Sequence, residues 1–380
     1  MQSWHDEFPV VDNLVYLNHA AVAPWPRRTA EAVNAFAAEN VHHGATGYPH
    51  WVTVERRLKK RAARLIGVAD ASDIALLKNT SEGLSVVAHG LAWQRGDNVV
   101  GIRQEFPSNR LPWESLADQG VEFRPLDLST GGDPEQGLMD LCDDRTRIVA
   151  VSAVQFANGL RLNLESLGAF CRNAGILLCV DAIQQLGALP FDATRVNADV
   201  VVADGHKWML GPEGLALFYV RPEVRDRLRL HQFGWHMREE LYDFTRESWQ
   251  TSPTASRFEC GSPNMLSIHA LDASLSLIEE AGVENIADTL LAHHRWLSGR
   301  VMEHDDLELL SPTEPERTSG ILTFRHRRLD NDALADKLNA EGVICAARGG
   351  GVRFSPHFYT PVEQLERAWD ILLRAMVPQV

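Results

Sequence analysis

The sequence predicts an α/β fold: a large, mostly parallel β-sheet flanked by helices, with a smaller α+β unit built from the C-terminal third and the first residues. Two observations carry this reading. From residue 70 to residue 220, short apolar runs alternate with longer segments of helical periodicity. Beyond residue 265 the pattern becomes long helices followed by short, interrupted strands.

The candidate strands of the first region are Ile74–Leu77, Asn98–Ile102, Ile148–Val151, Ile176–Val180, Val200–Ala203 and Leu215–Val220. They are apolar throughout rather than alternating, as strands buried on both faces must be. Between them lie helical patterns such as Glu82–Trp93, with Leu84, Val87, Ala88 and Leu91 on one face. Strands separated by helices form a mostly parallel sheet. The short Gly/Pro connection between Val200–Ala203 and Leu215–Val220 allows that pair to be antiparallel. In the second region a helix runs from Leu266 to Glu280 and, past Gly282, on to Met302. A Pro/Glu-rich loop leads to a strand at Ile321–Phe324, then a helix near Asp332–Glu341, a strand at Val343–Ala347, a hinge at Gly349–Gly351 and a last helix from Pro361.

Composition narrows the function classes. With 380 residues the chain can bury one large core and a satellite. A net charge of −14 opposes binding to a phosphate backbone, so no nucleic-acid partner is expected. The first residues lack a basic stretch followed by an apolar one, and no run is long enough to span a bilayer. A cytoplasmic protein without a membrane partner is expected. The five cysteines show no C-x-x-C pairing, which suits reduced thiols rather than disulfides or a zinc site. The fifteen histidines form no H-E-x-x-H, and the adjacent pairs His42-His43 and His293-His294 cannot converge on one point of a helix, so no metal is expected.

Three local patterns carry chemistry. In Val201-Val202-Ala203-Asp204-Gly205-His206-Lys207-Trp208 an apolar strand ends and a lysine follows at once in a turn. Ligands of open α/β sheets gather beyond the carboxyl ends of the strands, which puts Lys207 at the expected cleft, although most lysines are simply solvated. The run Ile176–Val180 ends on Asp181, 26 positions before Lys207. A carboxylate there suits a pyridinium nitrogen, and would equally suit a helix N-cap. The segment Lys78-Asn79-Thr80-Ser81-Glu82-Gly83 follows a strand and opens a helix. Its hydroxyls and free N–H groups suit a phosphate dianion or ordinary capping. No G-x-x-x-x-G-K-[ST] and no G-x-G-x-x-G follows the first strand, so a P-loop or dinucleotide oxidoreductase is poorly supported.

Taken in order, several motifs resemble the class V aminotransferase family of fold-type I, pyridoxal 5′-phosphate (PLP)-dependent enzymes, the group that holds cysteine desulfurases and isopenicillin N epimerase-like proteins. They are Val15-Tyr16-Leu17-Asn18-His19-Ala20-Ala21, Asn79-Thr80-Ser81-Glu82, Asp181-Ala182-Ile183-Gln184, Gly205-His206-Lys207, Arg257-Phe258-Glu259-Cys260-Gly261-Ser262-Pro263-Asn264 and Val352-Arg353-Phe354-Ser355-Pro356-His357-Phe358-Tyr359. The resemblance implies a seven-stranded sheet in a large domain over 20–265, with a small α+β domain from 1–19 and 266–380. It implies that Lys207 carries PLP as a Schiff base and then moves the Cα proton, while Asp181 pairs with the pyridine nitrogen. Gln184 would meet the phenolic oxygen, and Thr80, Ser81 and His206 the phosphate, with Asp204 also in the cofactor-binding set. Phe106 stands where many relatives have a histidine or aromatic over the ring. Ser262 resembles a phosphate contact made across a dimer interface, which implies a homodimer with shared sites. Arg353 matches the family's grip on the substrate α-carboxylate, a role for which a planar guanidinium is suited.

The reaction is less constrained. Cysteine desulfurases need a thiol on a loop just before the carboxylate arginine, and Ala347-Arg348-Gly349-Gly350-Gly351-Val352-Arg353 has none. Cys345 lies in the preceding apolar strand. An aminotransferase acting at Cα of an amino acid is expected, ahead of an epimerase; the alternative is a PLP-dependent C–S or β-lyase, or a desulfurase-like enzyme. Elimination needs an acid near the leaving group, for which His19, His43 and Tyr48 are the candidates, His19 and His43 being counted with the substrate site. Trp208, Trp235 and Phe358 are candidates to shape the side-chain pocket or simply to pack.

Overall fold

The computed structural model describes residues 4–245 and 247–377. Strand β1 (Val15–Tyr16) lies outside the main sheet. That sheet has seven strands: β2 (Ile74–Leu77), β3 (Asn98–Ile102), β4 (Glu122–Leu126), β5 (Thr146–Ser152), β6 (Leu177–Asp181), β7 (Val200–Asp204) and β8 (Ala216–Val220). Their spatial order is β2-β8-β7-β6-β5-β3-β4. All pairings are parallel except those of β8, which runs antiparallel to both β2 and β7. Every residue of β3, β6, β7 and β8 is buried, which is why these segments read as continuous apolar runs. Strand β4 was not anticipated. It is a half-covered edge strand containing Arg124 and Pro125, and an edge is where a sheet tolerates proline.

Helices line both faces. Arg27–His43 and Tyr48–Ile66 pack against Met265–Ala281, whose buried residues join the same core as β5, β6 and β7. Helix Thr80–Gly90 lies on the opposite face against β7 and β8. Its start is fixed reciprocally: the Asn79 side chain accepts from Glu82 N at 2.9 Å, while Glu82 accepts from Lys78 N at 2.6 Å.

The C-terminal third adds an antiparallel sheet of β9 (Leu307–Leu309), β10 (Leu322–His326), β12 (Ala346–Arg348) and β13 (Gly351–Phe354), in the order β12-β13-β10-β9. A separate short strand, β11 (Val343–Ile344), pairs in parallel with β1, tying the start of the chain to its end. Apolar residues of both regions, with the helices Asn331–Ala340 and Val362–Met376, form one further core. The expected hinge at Gly349–Gly351 is instead a two-residue hairpin turn. Gly349 and Gly350 have φ of 60° and 79°, and Arg348 pairs directly with Gly351. Two consecutive positive φ values give the tight turn that matches strand twist.

Gly83 sets how closely helix Thr80–Gly90 approaches the sheet, since a Cβ there would come within 2.6 Å of Val202 Cγ1. Gly83→Val should therefore destabilise the protein by about 1–3 kcal/mol, read as a lower urea midpoint.

Candidate active site

A cavity opens at the carboxyl ends of β5, β6 and β7, the edge where open α/β sheets bind ligands. Thr80, Ser81, Phe106, Asp181, Gln184, Asp204, His206, Lys207 and Arg353 all line it.

Asp181 is the last residue of β6 and is buried. Its Oδ1 accepts from Ile183 N at 3.0 Å, the local cap anticipated from the sequence. Burial raises its carboxyl to about 6, against the opposing effects of that bond and of Lys207. Lys207 sits in the turn between β7 and β8, and burial lowers its amine to about 8, with Asp181 acting to raise it and Arg353 to lower it further. Its Nζ lies 5.7 Å from the centre of the Phe106 ring, which meets Phe156 edge-on at 5.3 Å.

At the other end, Thr80 and Ser81, the first residues of helix Thr80–Gly90, line the cavity, and the first turn of a helix leaves N–H donors without intrahelical partners. Thr80 Oγ1 accepts from Asp204 N at 3.1 Å, and Ser81 Oγ donates to Ser108 Oγ at 2.8 Å. His206 Nδ1 lies 3.1 Å from Asp204 Oδ1, too poorly aligned for a hydrogen bond, and neither buried atom has another partner. Gln184 is held from both sides: its Oε1 accepts from Trp208 Nε1 at 2.8 Å and its Nε2 donates to Ala20 O at 3.0 Å. One amide hydrogen remains for a ligand.

Arg353, on β13, is 2 % exposed. Nη1 donates to Phe156 O at 2.7 Å and Nη2 to Asn18 Oδ1 at 3.4 Å, while Nε has no partner. No carboxylate of the described residues pairs with it, and burial followed by the nearby Arg348 charge lowers it to about 10.

Other expected residues are not brought to this cavity. His19 is buried beneath it, with Nδ1 2.8 Å from Ser355 O and Nε2 2.6 Å from Tyr359 Oη; burial lowers it to about 3. It is a neutral strut that anchors the Ala20–Val22 segment lining the cavity. His43 ends helix Arg27–His43 in solvent, and Tyr48 packs on Trp51. Ser262 accepts from Trp235 Nε1 at 3.3 Å, outside the cavity of its own chain. Trp208 is core, bonded to Gln184.

Sequence reasoning missed Glu105. This buried carboxyl receives Ser152 N at 2.6 Å, the Ser152 hydroxyl, and Gln155 Nε2 at 2.9 Å, joining the Phe106 loop to the end of β5. Burial raises it to about 7 against those three bonds. Glu105 lies three residues past the apolar run Asn98–Ile102, so it gave no signal of the kind Asp181 gives at the end of its strand. Elsewhere, Glu55, His236 and Glu259 form a cluster of potential metal ligands, but Lys59 Nζ stands 3.0 Å from Glu55 and 2.8 Å from Glu259, so an ammonium already serves those carboxylates.

The family model for "Aminotransferase class-V" matches residues 15–367. The chain belongs to the class V aminotransferase family. Its cofactor is pyridoxal 5′-phosphate. Among curated relatives of this class V chain, a probable cysteine desulfurase of Methanothermobacter thermautotrophicus is 28% identical over 96% of each chain. The uncharacterized aminotransferase YcbU of Bacillus subtilis is 26% identical over 97% of this chain and 96% of its own. Among solved structures, the apo cysteine desulfurase from Thermococcus onnurineus NA1 superposes with a TM-score of 0.88 at 23% identity, covering 98% of each chain. The cystine C–S lyase C-DES does so at 0.89 and 23%, over 97% of this chain and 98% of that one. At such identities these two structures speak for the shared fold.

The residues present fit PLP. The start of helix Thr80–Gly90, where first-turn N–H groups lack intrahelical partners, suits a phosphate, and the buried carboxyl at the end of β6 suits the pyridine nitrogen. Among the described residues no helix is long and apolar enough to cross a membrane.

Only a neutral amine attacks a carbonyl. With Lys207 lowered to about 8, covalent attachment of PLP to the apoprotein should speed up with rising pH and level off above about 8. An ordinary lysine would keep gaining until about 10.4. Absorbance-monitored reconstitution across pH 6–10 reads the difference.

Proposed function

We propose that this class V protein acts at Cα of an amino acid, with transamination as its reaction. Lys207 would hold the cofactor through its ε-amine and, once released by substrate, carry the proton to and from Cα. Asp181 would keep the pyridine nitrogen protonated, and Arg353 would receive the α-carboxylate, which compensates its buried charge. Bound there, the cofactor supplies an electron sink for negative charge developing at Cα. Orientation matters, because the Cα bond to be broken must align with that sink.

The observation that carries the choice of reaction is that, among the described residues, Lys207 is the one amine lining the cavity. An amine on one face of the site can take the proton from Cα and return it elsewhere along the same face, as transamination requires. The proton donors considered for β-elimination, His19, His43 and Tyr48, do not line the cavity.

A second reading, desulfurase or C–S lyase, is favoured by the names of the relatives. Against the persulfide route, none of the five cysteines lines the cavity. Cys345 is buried in the small core, its Sγ 3.9 Å from Ala335 O, and burial pushes its thiol up to about 12. A thiol so placed is packed rather than nucleophilic.

Purified holoenzyme should show its cofactor absorption bleach with a suitable amino acid and recover with a 2-oxo acid. Lys207→Ala should abolish turnover, Asp181→Ala should lose most of the rate while still binding PLP, and Cys345→Ser should remain active. Release of pyruvate with ammonia or sulfide, and no amino transfer, would select the lyase instead.

Ser262 would reach the cofactor phosphate of a second copy, making the active species a homodimer. Light scattering should give twice the 42.4 kDa chain mass, and Ser262→Ala should weaken PLP retention at unchanged mass.

A further inference from the structure

A second guanidinium faces the cavity without a carboxylate partner among the described residues. Arg348 lines it from the end of β12. Its Nη1 donates to the neighbouring Ala347 O at 2.7 Å, and no carboxylate of the described residues pairs with it. The hairpin register sets Arg348 opposite Gly351 and Ala346 opposite Arg353. Residues directly opposite share a face, as do residues two apart along a strand, so Arg348 and Arg353 stand diagonally on one face. Gly351 between them has no side chain to separate them. The turn is also held down: a Cβ on Gly349 would lie 3.3 Å from the Ala157 Cβ, beside Phe156, whose carbonyl anchors Arg353.

Two cations on one face repel each other unless anions separate them. The substrate α-carboxylate satisfies Arg353, the buried one. Arg348, nearer solvent, still lacks a counter-ion. We infer that Arg348 is a specificity-determining residue that pairs with a second carboxylate, on the substrate side chain, so that the preferred substrates are acidic amino acids. This rests on the reading that the site acts at Cα of an amino acid.

The neutral amides give matched controls, since aspartate and asparagine, and glutamate and glutamine, differ by one charge at nearly constant shape. Holoenzyme should be titrated with each of the four, following cofactor absorbance, kcat/KM and calorimetric binding. The wild type should favour the acid of at least one pair. Arg348→Gln should reduce that preference roughly 10- to 100-fold, the range of a charge-assisted hydrogen bond, while changing the amide little. Arg348→Lys should restore part of it. Arg348 is exposed, so these variants should fold.

No acid preference in the wild type, or one unaltered in Arg348→Gln, overturns the inference. Equal losses for acid and amide also overturn it, because Arg348 would then serve the shared α-carboxylate. In each case the Cα reading survives. A holoenzyme whose absorbance responds to no amino acid at all ends that reading, and this inference with it.

Discussion

The site depends on the in-register parallel pairing of β5, β6 and β7. Ser152 lies opposite Asp181, so β5 and β6 finish together, and Asp181 lies opposite Val202, with β7 running two residues further to Asp204. Main-chain bonds extend this alignment past the strand ends, from Ala153 N to Asp181 O and from Ala182 N to Val202 O. With neighbouring strands about 4.8 Å apart, groups far apart in sequence then fall within one ligand's length. Glu105 extends the ladder sideways by fastening the Phe106 loop to β5, and Thr80 does so from the other face through Asp204 N. A slip of one residue in β6 would turn Asp181 to the opposite face and remove it from the cavity.

The charges at that edge are costly without ligands. Burial weakens Lys207 as a base and Asp181 as an acid, and it leaves Arg353 with neutral oxygens alone. A buried charge without a counter-ion opposes folding. Elsewhere the protein avoids this: Lys59 meets two carboxylates, and Arg57 and Arg61 share the buried Asp272. The cavity is the exception, as expected where groups are arranged for what they bind rather than for stability.

Legibility in the sequence followed burial and chain proximity. The fully buried strands announced themselves as apolar runs, and the Asp181 and Lys207 turns directly adjoin two of them. Strand β4 stayed hidden because an edge strand needs no apolar run, and Arg124 and Pro125 obscured it. Among site residues, Arg353 and Gln184 were accessible only through resemblance. Glu105 and Phe156 owe their roles to loops that converge in three dimensions. His19 misled for a physical reason: its place in a motif signals that it matters, while only the structure shows both ring nitrogens already engaged.

Family membership leaves the reaction open, and the hairpin between β12 and β13 bears on it most directly. A desulfurase must deliver sulfur from its substrate to an outside acceptor, so its thiol needs a tether able to move between the two. Here Arg348 and Gly351 are already paired, leaving two glycines between them, both at positive φ. Two residues closing a hairpin have no slack, and the close approach of Gly349 to Ala157 holds them against the site wall. The same shortness that leaves no travelling thiol fixes Arg348 next to Arg353. Where a longer loop would be mobile, this chain has a tight turn that keeps two arginines on one face of the hairpin, beside the cavity that Lys207 also lines.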